Sequence, residues 1–526
     1  MVRTNLARVG LGAFAGLLCL GAGTASMSRA QDNRQVSEPV IPPVCVKLDA
    51  HLYAASDANG GRLRDEDEGK LDTDRIQKAL DGCGAGKAVE LTGTICHKGR
   101  ECREDGRNAF LSGPLEMRDG VTLLIDEGVT LYGSRDPKVY ETTHPGADPN
   151  ASVLCGTSVP RPTTFPVQLA ANAPARRGGC RSLINVSNVK NAGLMGKGTI
   201  DGRGYAKILG KDYSWWEMAR AAQPHDDLYY TPRLIIASHA DGLVLYQIHL
   251  DNSPNFHVAI NQTNGFTAWD VHLQTPVNKA LLGTSNDARN TDGIDPGTST
   301  NVTVAHSWID NGDDNIAIKQ GTTHMSVLDN HFYSGHGMSI GSETALGQSY
   351  LLVDGLVENH TTSGIRIKSN VKRGGPVHDL TYKNICMKDV PIPIAISPYY
   401  TNQTIEPFED PKYEGDKIPD YKFITLENIF AETPGDVLIA GLNDAHRTGI
   451  SVDAVHIVGI QPSQVHLAYD DIHVRSCSAY PNAPSTNWLN GPLPSTVKVM
   501  PSSEAGCGLY ATQPPDPCSD KFVPYR

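Results

Sequence analysis

Asn290-Thr291-Asp292, Gly312-Asp313-Asp314, Gly335-His336-Gly337 and Arg366-Ile367-Lys368 follow one another between residues 290 and 368. Each of the first three precedes a short apolar run: Ile294, then Ile316 and Ile318, then Met338 and Ile340. Asp292, Asp314 and His336 hold the same place, two residues ahead of the first apolar position, and the steps between them are 22 and 22 residues. Apolar runs of period two and this length are strands, too short for helices. A fixed step of roughly 20–30 residues points to stacked coils. If consecutive coils pair as parallel strands, equivalent positions stand roughly 4.8 Å apart. Two carboxylates and a histidine then form a column, with Asp313 beside them. Strict alternation would turn Asp292 and Asp314 inward with Ile294 and Ile316. The chain therefore has to bend just before each strand to bring them out.

An aspartate in a coil corner is ordinarily a cap. Three acids and a histidine in register call for more, because like charges at this spacing cannot all ionise freely and one pKa should rise. One residue type can thereby supply both a general acid and a general base. His336 can orient the acid by hydrogen bonding, and its flanking glycines allow close approach to the backbone. Arg366 and Lys368 alternate with Ile365 and Ile367. With the isoleucines inside, both cations point outward from a coil beyond the acids and suit a substrate carboxylate, which Arg binds bidentately. Their loss is expected largely in KM.

The rest of the chain sets the context. Residues 1–30 carry Arg3 and Arg8, an apolar run from Val9 to Ala22 and small residues up to Ala30, the plan of a secretory signal. No later apolar stretch approaches about 20 residues, so a secreted protein with no membrane partner is expected. Removing Cys19 with the signal leaves ten of the eleven cysteines, which suits an oxidising compartment. Pairs close in sequence are expected to bridge: Cys96/Cys102, Cys155/Cys180 and Cys507/Cys518, with Cys45, Cys83, Cys386 and Cys477 left open. The net charge is −12, and the signal takes three arginines and no acid with it, leaving −15. Such a balance argues against nucleic acid. No clustered Cys/His ligand spacing is present, so no metal or other cofactor is expected.

Residues 31–71 read as a polar lead-in. Asp72-Thr73-Asp74 opens a helix with Ile76, Ala79 and Leu80 on its apolar side, ending at Gly82. It is expected to cap the open end of the coils. Coils fill 72–480, regular from near Leu183, with roughly ten between residues 183 and 460. Asn252, Asn311, Asn330 and Asn359 are expected in corners, bonding the backbone. Residues 481–526 read as an ordered tail.

The four motifs, in this order and spacing, resemble the signature motifs of the polygalacturonases, family 28 of the glycoside hydrolases. The resemblance spans about residues 60–470 in general pattern, and the motifs are its specific part. It implies an all-β fold, a right-handed parallel β-helix, hydrolysing α-1,4 links of polygalacturonate (pectin) with inversion. By the same resemblance Asp313 matches the general acid, Asp292 and Asp314 the pair activating water, and His336 the support of the acid. Arg366 and Lys368 match the binders of a galacturonate carboxylate. Asn290 and Tyr400 join them on the substrate side, with Tyr399 the alternative to Tyr400. The histidine disfavours rhamnogalacturonan-cleaving members, which lack it. The short span before Asp72 leaves no room for the extra domain common in exo-acting members, so endo action is expected; a monomer is expected as well. The alternatives are an exo-acting member, a β-helical pectate lyase and a non-catalytic carbohydrate-binding β-helix.

Overall fold

Residues 31–93, 106–142, 154–160, 179–400, 415–474, 486–489, 491–501 and 518–526 are described by the computed structural model. The apolar runs are strands that stack in register. Eleven of them, from Leu115–Glu116 to Val465–Ala468, form one parallel sheet. Ile184, Ile235, Val258, Ile294, Ile316, Met338, Ile365, Ile394 and Val437 succeed one another along it. All nine are wholly buried, each contributing about 1.5–3 kcal/mol of apolar burial. Two residues further along, Val186, Ile260, Ile340, Ile367 and Ile439 repeat the pattern. The residues between these two columns point outward. The remaining faces belong to a larger sheet, also paired in parallel, in which Thr300–Ala305 lies between Asn264–Trp269 and Thr323–Leu328. This is a parallel β-helix.

The ladder starts earlier than the periodicity indicates. Val44–Asp49 pairs in parallel with Lys87–Thr92, which pairs in turn with Val121–Ile125. Val44–Asp49 is mostly exposed and so lacks the alternating pattern that would reveal it. At the other end Lys498–Pro501 adds to Asp470–Val474.

Helix Thr73–Gly82 covers the first coils with Ile76 and Leu80 fully buried. Asp72 stands at its N-cap without a side-chain capping bond; its carboxylate takes Arg75 at 2.6 Å and the Leu111 amide at 3.3 Å instead. Three expected corner asparagines bond the backbone: Asn252 to Asn59 O, Asn311 to Thr291 O and Asn330 to Val304 O. Asn359 meets the His360 ring.

Cys155 pairs with Cys180 as expected. Cys518 does not pair with Cys507. It bonds Cys386, 132 residues away, because the C-terminal segment folds back along the coils. There Val523 O accepts from the Tyr333 hydroxyl at 2.8 Å, and Arg526 lies over Trp308. Cys45 joins Cys83, tying the first strand to the end of the helix. Cys96, Cys102, Cys477 and the signal at 1–30 lie outside the described residues. Among the described residues no helix is long and apolar enough to cross a membrane.

Candidate active site

The bend required before each strand is present. Strands begin at Ile294 and Ile316, so Asp292 and Asp314 belong to the turns ahead of them. Asparagines staple those turns. The Asn311 amide donates to Thr291 O at 2.7 Å and to Asp314 O at 2.9 Å, and the Gly312 amide donates to Thr291 Oγ1. Asn315 is wholly buried, donating to Asn311 Oδ1 at 2.7 Å and accepting from the Gly337 amide at 2.8 Å. With Asn315 turned inward, Asp314 turns out. Gly337 has φ +77°, and a Cβ there would stand 2.0 Å from Ser363 O. Only glycine lets the coils pass so closely.

All eight residues expected at the site line one cavity of about 630 Å³. Asp314 is fixed: its carboxylate accepts from Arg366 at 2.8 Å, Lys368 at 2.6 Å and the Ser339 hydroxyl at 2.8 Å. Asp313 Oδ1 accepts from the Asp314 amide at 2.9 Å and lies 3.1 Å from His336 Nδ1, while the His336 amide donates to Asp313 O. Oδ2 of Asp313 has no hydrogen-bond partner among the described residues. The side chain of Asp313 is 18% exposed, against 5% for Asp292 and 1% for Asp314. Of these three acids Asp313 is therefore the most open to a bound chain. Asp292 Oδ1 is buried and unpartnered. Asn290 Oδ1 accepts from the Tyr229 hydroxyl at 2.6 Å. The Tyr400 ring packs against Arg366 and Lys368, whereas Tyr399 bonds Leu442 O inside an apolar cluster.

The sequence reading missed Asp295 and Lys319. Lys319 Nζ stands 3.8 Å from Asp292 Oδ2 and 3.6 Å from Asp295 Oδ2. Both residues were legible, because Asp295 follows Ile294, and Lys319 follows Ile318, just as Arg366 and Lys368 follow Ile365 and Ile367. Arg233 and Phe256 were missed for another reason. They precede Ile235 and Val258 by two residues, the same place as Asp292 before Ile294, and these strands are in register. From Val258 to Ile294 the step lengthens to 36 residues, which breaks the period.

Charge is distributed unequally over the acids. Burial pushes Asp292 well up, and Asp295 and Asp313 add to the shift. Burial likewise raises Asp295, to about 7, against the pull of Lys319. Burial acts on Asp313 too, but the hydrogen bond and charge of His336 outweigh it and hold that carboxyl below its usual range. At Asp314 burial is overcome by Lys368 and then Arg366, which keep it ionised. The acid whose pKa rises is thus Asp292, with Asp295 beside it. A cluster poised between protonated and ionised carboxyls is equipped for acid/base chemistry.

Fold and site define a parallel β-helix with a groove lined by a cluster of carboxylates. Residues 151–477 match glycosyl hydrolases family 28. The chain is 38% identical over 419 residues to an endo-polygalacturonase of Pectobacterium carotovorum subsp. carotovorum, covering 79% of this chain and 87% of that one. It is 32% identical to a polygalacturonase of Ralstonia nicotianae, covering 97% of this chain and 96% of the relative. The solved polygalacturonase from Erwinia carotovora ssp. carotovora superposes with a TM-score of 0.65 at 36% identity, covering 83% of this chain and 99% of that one. The chain belongs to glycosyl hydrolases family 28.

Proposed function

We propose that this protein is a polygalacturonase that cleaves α-1,4 links within polygalacturonate by inverting hydrolysis. The observation that carries the reading is the arrangement of the three acids, on a chain whose relatives are polygalacturonases. Asp313 is the most open and keeps one oxygen free; Asp314 is pinned as an anion; Asp292 is buried with an unpartnered oxygen. In the reaction Asp313 gives its proton to the glycosidic oxygen. Asp292 and Asp314 hold a water on the opposite side of the sugar and take its proton as it attacks. Asp314 cannot be the acid, because two cations hold it ionised. In the free protein burial makes Asp292 and Asp295 the carboxyls of the cluster that favour their protonated form. A substrate carboxylate and the exclusion of water both push Asp313 up, moving the proton where the leaving group needs it. A second reading, Asp292 as the acid, draws on its raised pKa.

The groove favours endo action. A second cavity of about 410 Å³ shares Arg233, Phe256 and Asn290 with the first, so a polymer can continue past the reacting centre. An N-terminal stretch built as a signal and three cysteine pairs bonded among the described residues support export, and we read the protein as acting as a monomer. Sizing the saturated products of a polygalacturonate digest tests the reading. Mixed oligomers early in the digest are expected, whereas unsaturated products or monomer alone would overturn hydrolysis or endo action respectively.

Two further results are expected. Activity on polygalacturonate should survive excess EDTA, because the Asp314 oxygens that a cation would need are already held by Arg366, Lys368 and Ser339. Loss on chelation, restored by calcium, would favour the lyase. The profile of kcat/KM against pH should be bell-shaped with its basic limb well above the ordinary aspartate value of about 4. That limb follows loss of the proton shared by the cluster, and burial holds the proton on. Lys319 favours the ionised acids, so Lys319→Met should move the basic limb higher. A limb that stays put or falls contradicts the charge assignment.

A further inference from the structure

Five cations line the main cavity: Arg233, Arg289, Lys319, Arg366 and Lys368. Three have anions. Arg366 and Lys368 engage Asp314, and Lys319 lies between Asp292 and Asp295. Arg233 and Arg289 have none in contact: among the described residues neither guanidinium makes a hydrogen bond or an ion pair, and the carboxylates of Asp295 and Asp292 near Arg233, and of Asp313 and Asp287 near Arg289, act on them only through space. On a chain of net charge −12, two half-buried arginines with no carboxylate in contact are conspicuous. Burial disfavours the charge of each, a cost that an anionic ligand would offset.

Arg233 is also held in place. Its guanidinium lies over the Phe256 ring, 4.7 Å from the centroid, which orients its donors without using them. It belongs to both cavities, at their junction, and the second is lined further by Tyr229, Tyr230, Thr231 and Asn255. Aromatic rings for sugar faces and polar groups for hydroxyls therefore surround it. Its coil stands three steps before that of Asp314, through Phe256 and Asp292, which is roughly 14 Å at about 4.8 Å per coil. Arg366 and Lys368 stand on the other flank, two coils after Asp314.

We propose that Arg233, stacked on Phe256 and assisted by Arg289, is a second carboxylate anchor of the groove, taking a uronate of the same polymer some sugars from the bond cleaved. This rests on the polygalacturonase reading and adds to it a length requirement. The anchor rewards only substrates long enough to reach it, and only where that sugar is not esterified.

The test is kinetics of wild type, Arg233→Gln and Arg289→Gln on oligogalacturonides of rising length, on polygalacturonate and on methyl-esterified pectin. For wild type, kcat/KM should step up when the substrate gains the sugar that reaches the anchor. Arg233→Gln should lose that step and raise KM for polygalacturonate about tenfold or more, as expected for a charge-assisted contact. Arg289→Gln should weaken the same step. Both deficits should shrink in high salt and on methyl-esterified chains. The melting temperature of Arg233→Gln should hold or rise, because an uncompensated charge has been removed. Deficits equal at every length, or no deficit at any, overturn the proposal. If Arg233→Gln fails to fold, a wild type with no step in its length series overturns it as well. Wild type that releases no saturated fragments from polygalacturonate would instead sink the underlying reading, before any variant is compared.

Discussion

Asp313→Asn is expected to lower kcat on polygalacturonate by about 10²–10⁴-fold, the usual cost of losing a general acid. Binding of oligogalacturonate should change little. Asparagine keeps the shape and reach of the side chain, and its oxygen can still accept from the Asp314 amide and His336, which hold Oδ1 now. With Asp313 as the proposed acid, what disappears is the proton that Oδ2 would deliver to the leaving oxygen. A substrate whose leaving group departs without protonation, such as an aryl galacturonide, should therefore recover most of the lost rate. Asp292→Asn should show no such recovery, because the role proposed for the group lost there is to activate water. If the recovery belongs to Asp292→Asn instead, Asp292 is the acid and the two roles exchange. Near wild-type turnover by Asp313→Asn on the polymer would mean that neither assignment of Asp313 holds.

Lys368→Met should damage both folding and turnover. Its ammonium lies 2.6 Å from Asp314 Oδ2, and both side chains are almost fully buried, at 6% and 1% exposed. Removing one member of a buried pair typically costs about 3–5 kcal/mol, here moderated by Arg366, which still reaches the other oxygen. The sequence alone led us to expect a loss mainly in KM. With Lys368 holding Asp314 rather than standing free for the substrate, kcat should fall as well, by about 10²-fold for a misplaced water. The sign with pH follows from Asp314. Its folded pKa is depressed, so the stabilisation is present above its unfolded value of about 3.9 and lost as pH falls through the folded one. Denaturation of wild type and Lys368→Met should thus differ most above about pH 4 and converge below it. Asp314→Asn combined with Lys368→Met should cost less than the sum of the two. An additive double variant, or a gap that widens in acid, would show that the pair is not the cause.

Within the sequence, the alternation of Ile294, Ile316, Met338 and Ile365 with polar neighbours determined which side of each coil faces the core. The constant step of 22 residues placed Asp292, Asp314 and His336 in one column. Both signals are local, since side-chain direction along a strand follows from the backbone itself. The outward placement of Asp295 and Lys319 follows from that rule too. Other features are not local. Whether Asp314 turns out of the coil depends on Asn311 and Asn315 finding carbonyls and amides of neighbouring coils. The partner of Cys518 depends on a tail returning across 132 residues. Arg233 and Phe256 join the column only because a coil lengthened to 36 residues still re-enters the sheet in register. The commitment of Lys368 to Asp314, and the proton it denies that carboxylate, exist only once burial has removed water from around both charges. Spacing fixed the order of the groups, and packing decided which of them are charged.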